Sequence, residues 1–175
     1  WDNKSTDKSK KIISKYKNKK IKYFYSKSFH SLYKSRNLAV QKAKGKYITF
    51  LDTDDLWKKN KIEFSLSYLI KNKLKICYSN HYLYFQKIKK SKKAINYNFE
   101  VNSQFLLDNY NMGILTVILE RSFFKKKLFE TKYQIIGDFD YFIKMSLTNI
   151  IGYISKPLAV YRVHGSNYSI KNTQL

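Results

Sequence analysis

An α/β fold with a mainly parallel sheet flanked by helices is the class this sequence predicts. Three observations carry that expectation. Strand-like and helix-like segments alternate through the first half of the chain at the spacing of α/β units. The segment Tyr47–Leu51 (YITFL) is nearly all apolar rather than alternating, as in a strand covered on both faces. The chain has 175 residues with 43% hydrophobic and 17% aromatic content, enough for one domain with its own core and too much for a disordered chain.

Taken in order, Ser5, Thr6 and Asp7 are suited to cap a helix whose apolar positions Ile12, Ile13 and Tyr16 recur at helical spacing. Lys20–Tyr25 (KIKYFY) reads as a strand. Ser31 can cap a second helix with an apolar stripe of Leu32, Leu38, Ala39 and Ala43, and Gly45 stands where a C′ glycine should. After Tyr47–Leu51 and an acidic cluster, Trp57–Ile70 reads as a helix and Lys75–Ser79 (KICYS) as a strand. Tyr82–Ile88, the Lys-rich turn Lys89–Lys93 and Ala94–Phe99 form a hairpin or an irregular excursion. Ile114–Leu119 (ILTVIL) is a further strand, Ser122 starts a short helix, and Gly137–Leu147 has helical apolar spacing. Ile151–Ile154 looks like a strand, and Pro157 breaks the chain before Ala159–Val163. The expectation is a single domain spanning residues 1–175, with no internal repeat.

The formal net charge of +23 raises a nucleic-acid reading. Composition argues against it. Base readout and bidentate phosphate clamps favour Arg, which stands only at Arg36, Arg121 and Arg162 among 35 basic residues. A solvated, Lys-rich surface is the reading taken, with no nucleic-acid partner and with an attraction to anionic lipid headgroups. The single cysteine, Cys77, excludes an internal disulfide framework. No apolar run reaches the length of a membrane-spanning helix, and the opening WDNKSTDKSK carries no apolar signal segment.

Acids are scarce, 12 in the chain, yet Asp52, Asp54 and Asp55 fall together directly after the apolar strand. In open parallel sheets ligands bind beyond the carboxyl ends of strands, where these residues would lie. Mg²⁺ takes one or two carboxylates together with substrate phosphates, and such a cation would stabilise a nucleoside diphosphate as a leaving group. Asp-rich turns between a strand and a helix are also common caps, so Asp54 or Asp55 capping the Trp57 helix stands as the other reading.

Four separate motifs bear on that choice. They are Ser35-Arg36-Asn37, Ala43–Trp57 (AKGKYITFLDTDDLW), Ile136–Asp140 (IGDFD) and Tyr161–Asn167 (YRVHGSN). Their order and spacing resemble the family 2 glycosyltransferases of the GT-A, Rossmann-like fold, and the opening WDNKSTDKS is similar to that family's nucleotide-binding turn. The resemblance runs from Trp1 to about Ser169.

It implies an inverting, metal-dependent transfer of a sugar from a nucleotide-sugar donor, in this family often a UDP-sugar, to a glycan or lipid-linked acceptor. The setting implied is the cytoplasm, peripheral at the inner face of the membrane, in building a cell-envelope polysaccharide or related glycoconjugate. By the same resemblance Asp2 contacts the nucleotide base, Asp52 the ribose, and Arg36 the nucleotide, while Asp54 holds Mg²⁺ or Mn²⁺. Asp55 falls to a cap or a supporting role. Asp138 matches the catalytic base, which an inverting displacement needs to take the acceptor's proton. Residues two apart on a helix differ by about 200°, so Asp138 and Asp140 cannot both face one site. His164 matches a segment that closes near the donor; it approaches metal or diphosphate, or it is structural. His30 and His81 have no motif around them, and Trp57 and Tyr161 read as packing residues, although aromatic faces can also line a sugar site.

Three departures stand out: Asn3 and Lys4 in the first turn, and Gly137 where the family has Glu before the base. They keep an inactive relative open as an alternative, beside a Lys-rich nucleic-acid-binding module. Family members place a strand, a helix and most of a second strand ahead of the first turn. The chain is therefore expected to be a fragment lacking part of the nucleotide pocket, and to bind donor weakly or not at all by itself.

Overall fold

A strand does form at Tyr47, but the sheet around it is mixed. The computed structural model describes residues 1–95 and 101–167. Its helices are α1 (Ser9–Ile13), α2 (Leu32–Lys42), α3 (Lys61–Lys71), α4 (Ser103–Asp108), α5 (Ser122–Lys126) and α6 (Gly137–Ser146). Its strands are β1 (Tyr47–Thr49), β2 (Leu56–Trp57), β3 (Ile76–Phe85), β4 (Lys90–Lys93), β5 (Ile118–Glu120) and β6 (Gly152–Val163). The strand order is β1-β5-β3-β6-β2, with β4 paired to β3. Pairing is parallel between β3 and β6 and antiparallel at the other ladders, so β1, β3 and β6 run one way and β2, β4 and β5 the other.

The sheet separates two apolar layers. Alternate residues of β3 point to opposite faces: Ile76 and Tyr78 join the larger cluster, and Cys77 packs in the smaller one with Leu69, Ile118, Ile154 and Leu158. Aromatic rings from α2, α5 and α6 and the loop between α5 and α6 fill the larger cluster, with Phe129 in contact with Tyr33, Phe124, Tyr141 and Phe142.

Several elements differ from expectation for identifiable reasons. No residue of α1 is buried, and Ile12 and Ile13 remain exposed, so its apolar stripe finds no partner. Lys20–Tyr25 forms no strand; Asp2 makes a single parallel bridge to Tyr25, and the Lys-rich start of the segment stays exposed. The buried residues of α2 are Tyr33, Ser35, Arg36, Asn37 and Val40 rather than the apolar stripe. That helix ends at Lys42 with Ala43 extended, so Gly45 is not its C′ residue.

The helix expected from Trp57 begins at Lys61, because Leu56 and Trp57 pair with Val160 and Ala159 as β2 and the Trp57 indole N–H donates to the Leu115 carbonyl at 2.9 Å. Ile114–Thr116 forms a 3₁₀ turn before β5. The hairpin alternative holds for the middle region: its turn is Gln86–Lys89, with Lys89 at φ 51°, and Lys90–Lys93 is strand rather than turn. Positions 96–99 of the expected Ala94–Phe99 segment lie outside the described residues.

Pro157 does not interrupt β6. It sits opposite Asn80, where the ladder shifts register on both sides of Asn80. A bulge is where a strand tolerates a residue without an N–H. The buried Asn80 amide ties the bulge down by donating to the Ile95 carbonyl at 2.7 Å and accepting the N–H groups of His81 (2.8 Å) and Ile95 (3.1 Å).

Candidate active site

A cleft of about 760 Å³ opens at the carboxyl ends of β1 and β3, bordered by the first residues of α2 and α6. Asp52, Asp54 and Asp55 enter it from the loop after β1, Arg36 and Tyr33 from α2, and Asp138 from α6. Stretches more than 80 residues apart in sequence thus supply its carboxylates. Trp1, Asn3, His81, Tyr110, Asn111 and Tyr161 also line it.

On the β1 side, Arg36 Nη2 donates to both carboxylate oxygens of Asp52, at 2.8 and 3.2 Å. The guanidinium also lies over the Tyr33 ring, 5.4 Å from its centroid. The neighbouring Asn37 turns away from the cleft and clamps the Phe129 backbone, donating to its carbonyl at 2.9 Å and accepting its N–H at 3.0 Å. The Arg-Asn pair therefore divides its work: one residue serves the cleft and the other holds the core that backs it.

Asp54 is opposed by His164, with Nε2 3.0 Å from Oδ2. The Ser166 N–H donates to His164 Nδ1 at 3.2 Å, and the Ser166 hydroxyl oxygen lies 2.8 Å from the same nitrogen. His164 itself is outside the cleft lining. Asp55 accepts the Arg162 N–H at 2.9 Å, and burial pushes its carboxyl up to about 6, with the Asp54 and Asp52 charges adding to the rise. Asp55 thus docks the end of β6 onto the acidic loop. Neither it nor Asp54 caps α3, whose N-cap is Asn60.

Asp138 is the second residue of α6, where the positive end of the helix dipole favours a carboxylate. The Tyr33 hydroxyl donates to its Oδ1 at 2.8 Å and also reaches the Ile135 carbonyl. Burial, then the Asp138 charge, pushes that hydroxyl well above its ordinary value, so it keeps its proton. Asp140 faces elsewhere and pairs with Lys144 at 2.5 Å, as the helical rotation requires.

Asp2 is not brought into the cleft. The residue is 8% exposed, and its carboxylate accepts the Ser5 N–H at 2.7 Å and the Tyr23 hydroxyl at 2.5 Å, so both oxygens hold the first turn. Trp1 and Asn3 on either side of it line the cleft instead. Asn3 is itself pinned to the His30 backbone by two hydrogen bonds.

Other lining residues carried no motif. Burial pushes His81 down to about 4, so its imidazole is neutral at physiological pH. Among the described residues, His81 Nδ1, the Tyr110 hydroxyl and Asn111 Nδ2 are buried without a hydrogen-bond partner. Polar residues beside apolar ones in the segment Tyr110–Gly113 were the one sequence signal available.

As for a cation, no group of three or more His, Cys, Asp or Glu side chains is arranged to hold one among the described residues. A carboxylate at Asp54 with an imidazole beside it nonetheless fits a hard divalent ion that takes its remaining ligands from substrate phosphates and water.

Fold and cleft together define an α/β domain that gathers acids from distant segments at the carboxyl ends of its strands. Residues 1–146 match the Glycosyl transferase family 2, and the chain belongs to that family. An uncharacterized glycosyltransferase of Rickettsia bellii is 30% identical over 161 residues, covering 89% of this chain and 23% of the relative. The UDP-Glc:alpha-D-GlcNAc-diphosphoundecaprenol beta-1,3-glucosyltransferase WfgD of Escherichia coli is 30% identical over 121 residues, covering 69% of this chain and 47% of the relative. Among solved structures, S. aureus TarS 1-349 in complex with UDP-GlcNAc superposes with a TM-score of 0.80 at 19% identity, over 99% of this chain and 51% of that one. The chain therefore spans from about a quarter to about a half of the length of these relatives.

Proposed function

We propose that the protein is an inverting, metal-dependent glycosyltransferase that moves a sugar from a nucleotide-sugar to an acceptor hydroxyl. The observation that carries the reading is the meeting of Asp52, Asp54, Arg36 and Asp138 in one cleft. Asp52 and Arg36 take the nucleotide side, and Asp54, with His164 beside it, would hold Mg²⁺ or Mn²⁺. That ion would offset the charge of the leaving diphosphate. Asp138 takes the proton of the acceptor hydroxyl as its oxygen bonds to the anomeric carbon and the bond from that carbon to the diphosphate breaks. One displacement inverts the configuration.

The donor is a UDP-sugar in this reading, supported by the UDP-Glc in the name of the E. coli relative and the UDP-GlcNAc bound to TarS. A glycan or lipid-linked acceptor accords with the diphosphoundecaprenol named for the E. coli relative. Peripheral contact with an anionic inner membrane face is consistent with the charge of +23. No helix among the described residues is long and apolar enough to cross a membrane.

Asp138→Asn in the full-length protein tests the assignment of the base. Transfer should fall at least about a hundredfold, within the usual range for losing a general base, while donor binding by calorimetry stays intact. Unchanged turnover would remove Asp138 from the chemistry.

A further inference from the structure

Tyr33 has no counterpart among the motifs, yet its contacts tie together both halves of the cleft. Its ring is 1% exposed and lies directly against Gly137: an ideal Cβ at that position would be 2.6 Å from two ring carbons. Its hydroxyl donates to Asp138 Oδ1 at 2.8 Å and reaches the Ile135 carbonyl. Its face carries the Arg36 guanidinium, which in turn holds both oxygens of Asp52. The glycine at 137 is what lets the ring approach so closely.

We propose that Tyr33 is a positioning residue for the catalytic base, holding Oδ1 of Asp138 so that Oδ2 is presented to the acceptor hydroxyl, and that Gly137 is its matched partner. This rests on the reading of Asp138 as the base. Among the described residues no group hydrogen-bonds Asp138 Oδ2. A carboxylate at the start of a helix can rotate about its terminal torsion, which is broad for Asp. A single donor at one oxygen removes that freedom. The hydroxyl has one proton and two acceptors within reach. It faces Asp138 while the carboxylate is charged, and it can turn to the Ile135 carbonyl once Asp138 has taken the acceptor's proton. Through Arg36 the same ring keeps the base in register with the residue assigned to the donor ribose.

The departure at Gly137 then has a structural meaning. A larger residue there would push the Tyr33 ring aside, so with glycine at 137 the base is supported from the other side by a phenol. The chain does not lack support for its base; it supplies that support from α2.

The test is Tyr33→Phe in the full-length protein, measured beside Asp138→Asn. Loss of one hydrogen bond to a charged group corresponds to about a 10- to 100-fold fall in kcat. The donor KM should stay within about twofold of wild type, and Tm should fall only modestly, because the ring remains and only the hydroxyl's two acceptors lose their donor. Should Tyr33→Phe not fold, 4-fluorophenylalanine at position 33 fills the hydroxyl's volume without its proton and should show the same fall. A kcat within about twofold of wild type in either folded variant overturns the proposal. So does a fall in kcat matched by an equal rise in donor KM, which would make Tyr33 merely structural. If instead Asp138→Asn is fully active, the assignment of the base fails first, and the positioning role falls with it.

Discussion

Replacing Gly137 by Ala drives a methyl group into the Tyr33 ring, and the structure sets the size of the effect. The new Cβ would lie 2.6 Å from Cδ2 and Cε2 and 2.8 Å from Cγ. Carbon contacts settle near 3.5 Å, so the ring must withdraw by about 0.9 Å. It would withdraw into packed side chains, since it is 1% exposed and tilted against Phe129 with centroids 5.6 Å apart. Overpacking of this kind costs about 1–3 kcal/mol. Ala is about 1 kcal/mol better than Gly inside a helix, but Gly137 is the first residue of α6, where that advantage shrinks. A net destabilisation of about 1–2 kcal/mol follows, seen as a fall in Tm of about 2–8 °C. Thermal unfolding by circular dichroism reads it. In a Tyr33→Ala background the same substitution should be neutral or stabilising, giving a coupling of about 1–3 kcal/mol between the two positions. Additive effects, or a higher Tm for Gly137→Ala alone, would refute the close approach.

Two further outcomes come from buried and paired charges. Lys61 is fully buried, with its ammonium 3.2 Å from Thr49 Oγ1 and over the Trp57 ring, and burial pulls its pKa from 10.5 down to about 8. Between those two values the unfolded chain binds more protons than the folded one, so stability rises with pH across that window and the charge destabilises below it. Lys61→Met should abolish that rise and add up to about 3 kcal/mol at pH 7, read from urea midpoints. Arg36→Lys loses the two-oxygen grip on Asp52 and should weaken binding of uridine diphosphate about tenfold by calorimetry; unchanged binding would take Arg36 out of the donor site.

What the sequence made legible follows from chemistry that cannot be disguised. Three acids after an apolar strand, and an aspartate opening a helix, are visible because so few acids occur elsewhere. Helical rotation alone separates Asp138 from Asp140, and the structure shows that separation. The α/β class was visible too, since apolar runs alternate with helical ones. Direction was not: an isolated strand such as Ile118–Glu120 reads the same in either orientation, and here it runs antiparallel to both neighbours. Hydropathy misplaced the buried face of α2, because that face is made of Tyr33, Arg36 and Asn37, whose polar tips are satisfied by distant partners. The surroundings of Asp2 were not legible either: Tyr23 and Ser5 close around its carboxylate, while Trp1 and Asn3 on either side line the cleft.

The charge of Asp54 is the most exposed point of the functional proposal. The direct measurement is release of nucleoside diphosphate from a UDP-sugar by the full-length protein with Mn²⁺ or Mg²⁺, compared with EDTA and with Asp54→Ala. The expected result is that both treatments lower turnover at least about a hundredfold, since the ion supplies several kcal/mol at the leaving group. Turnover that persists in EDTA and in Asp54→Ala would contradict it.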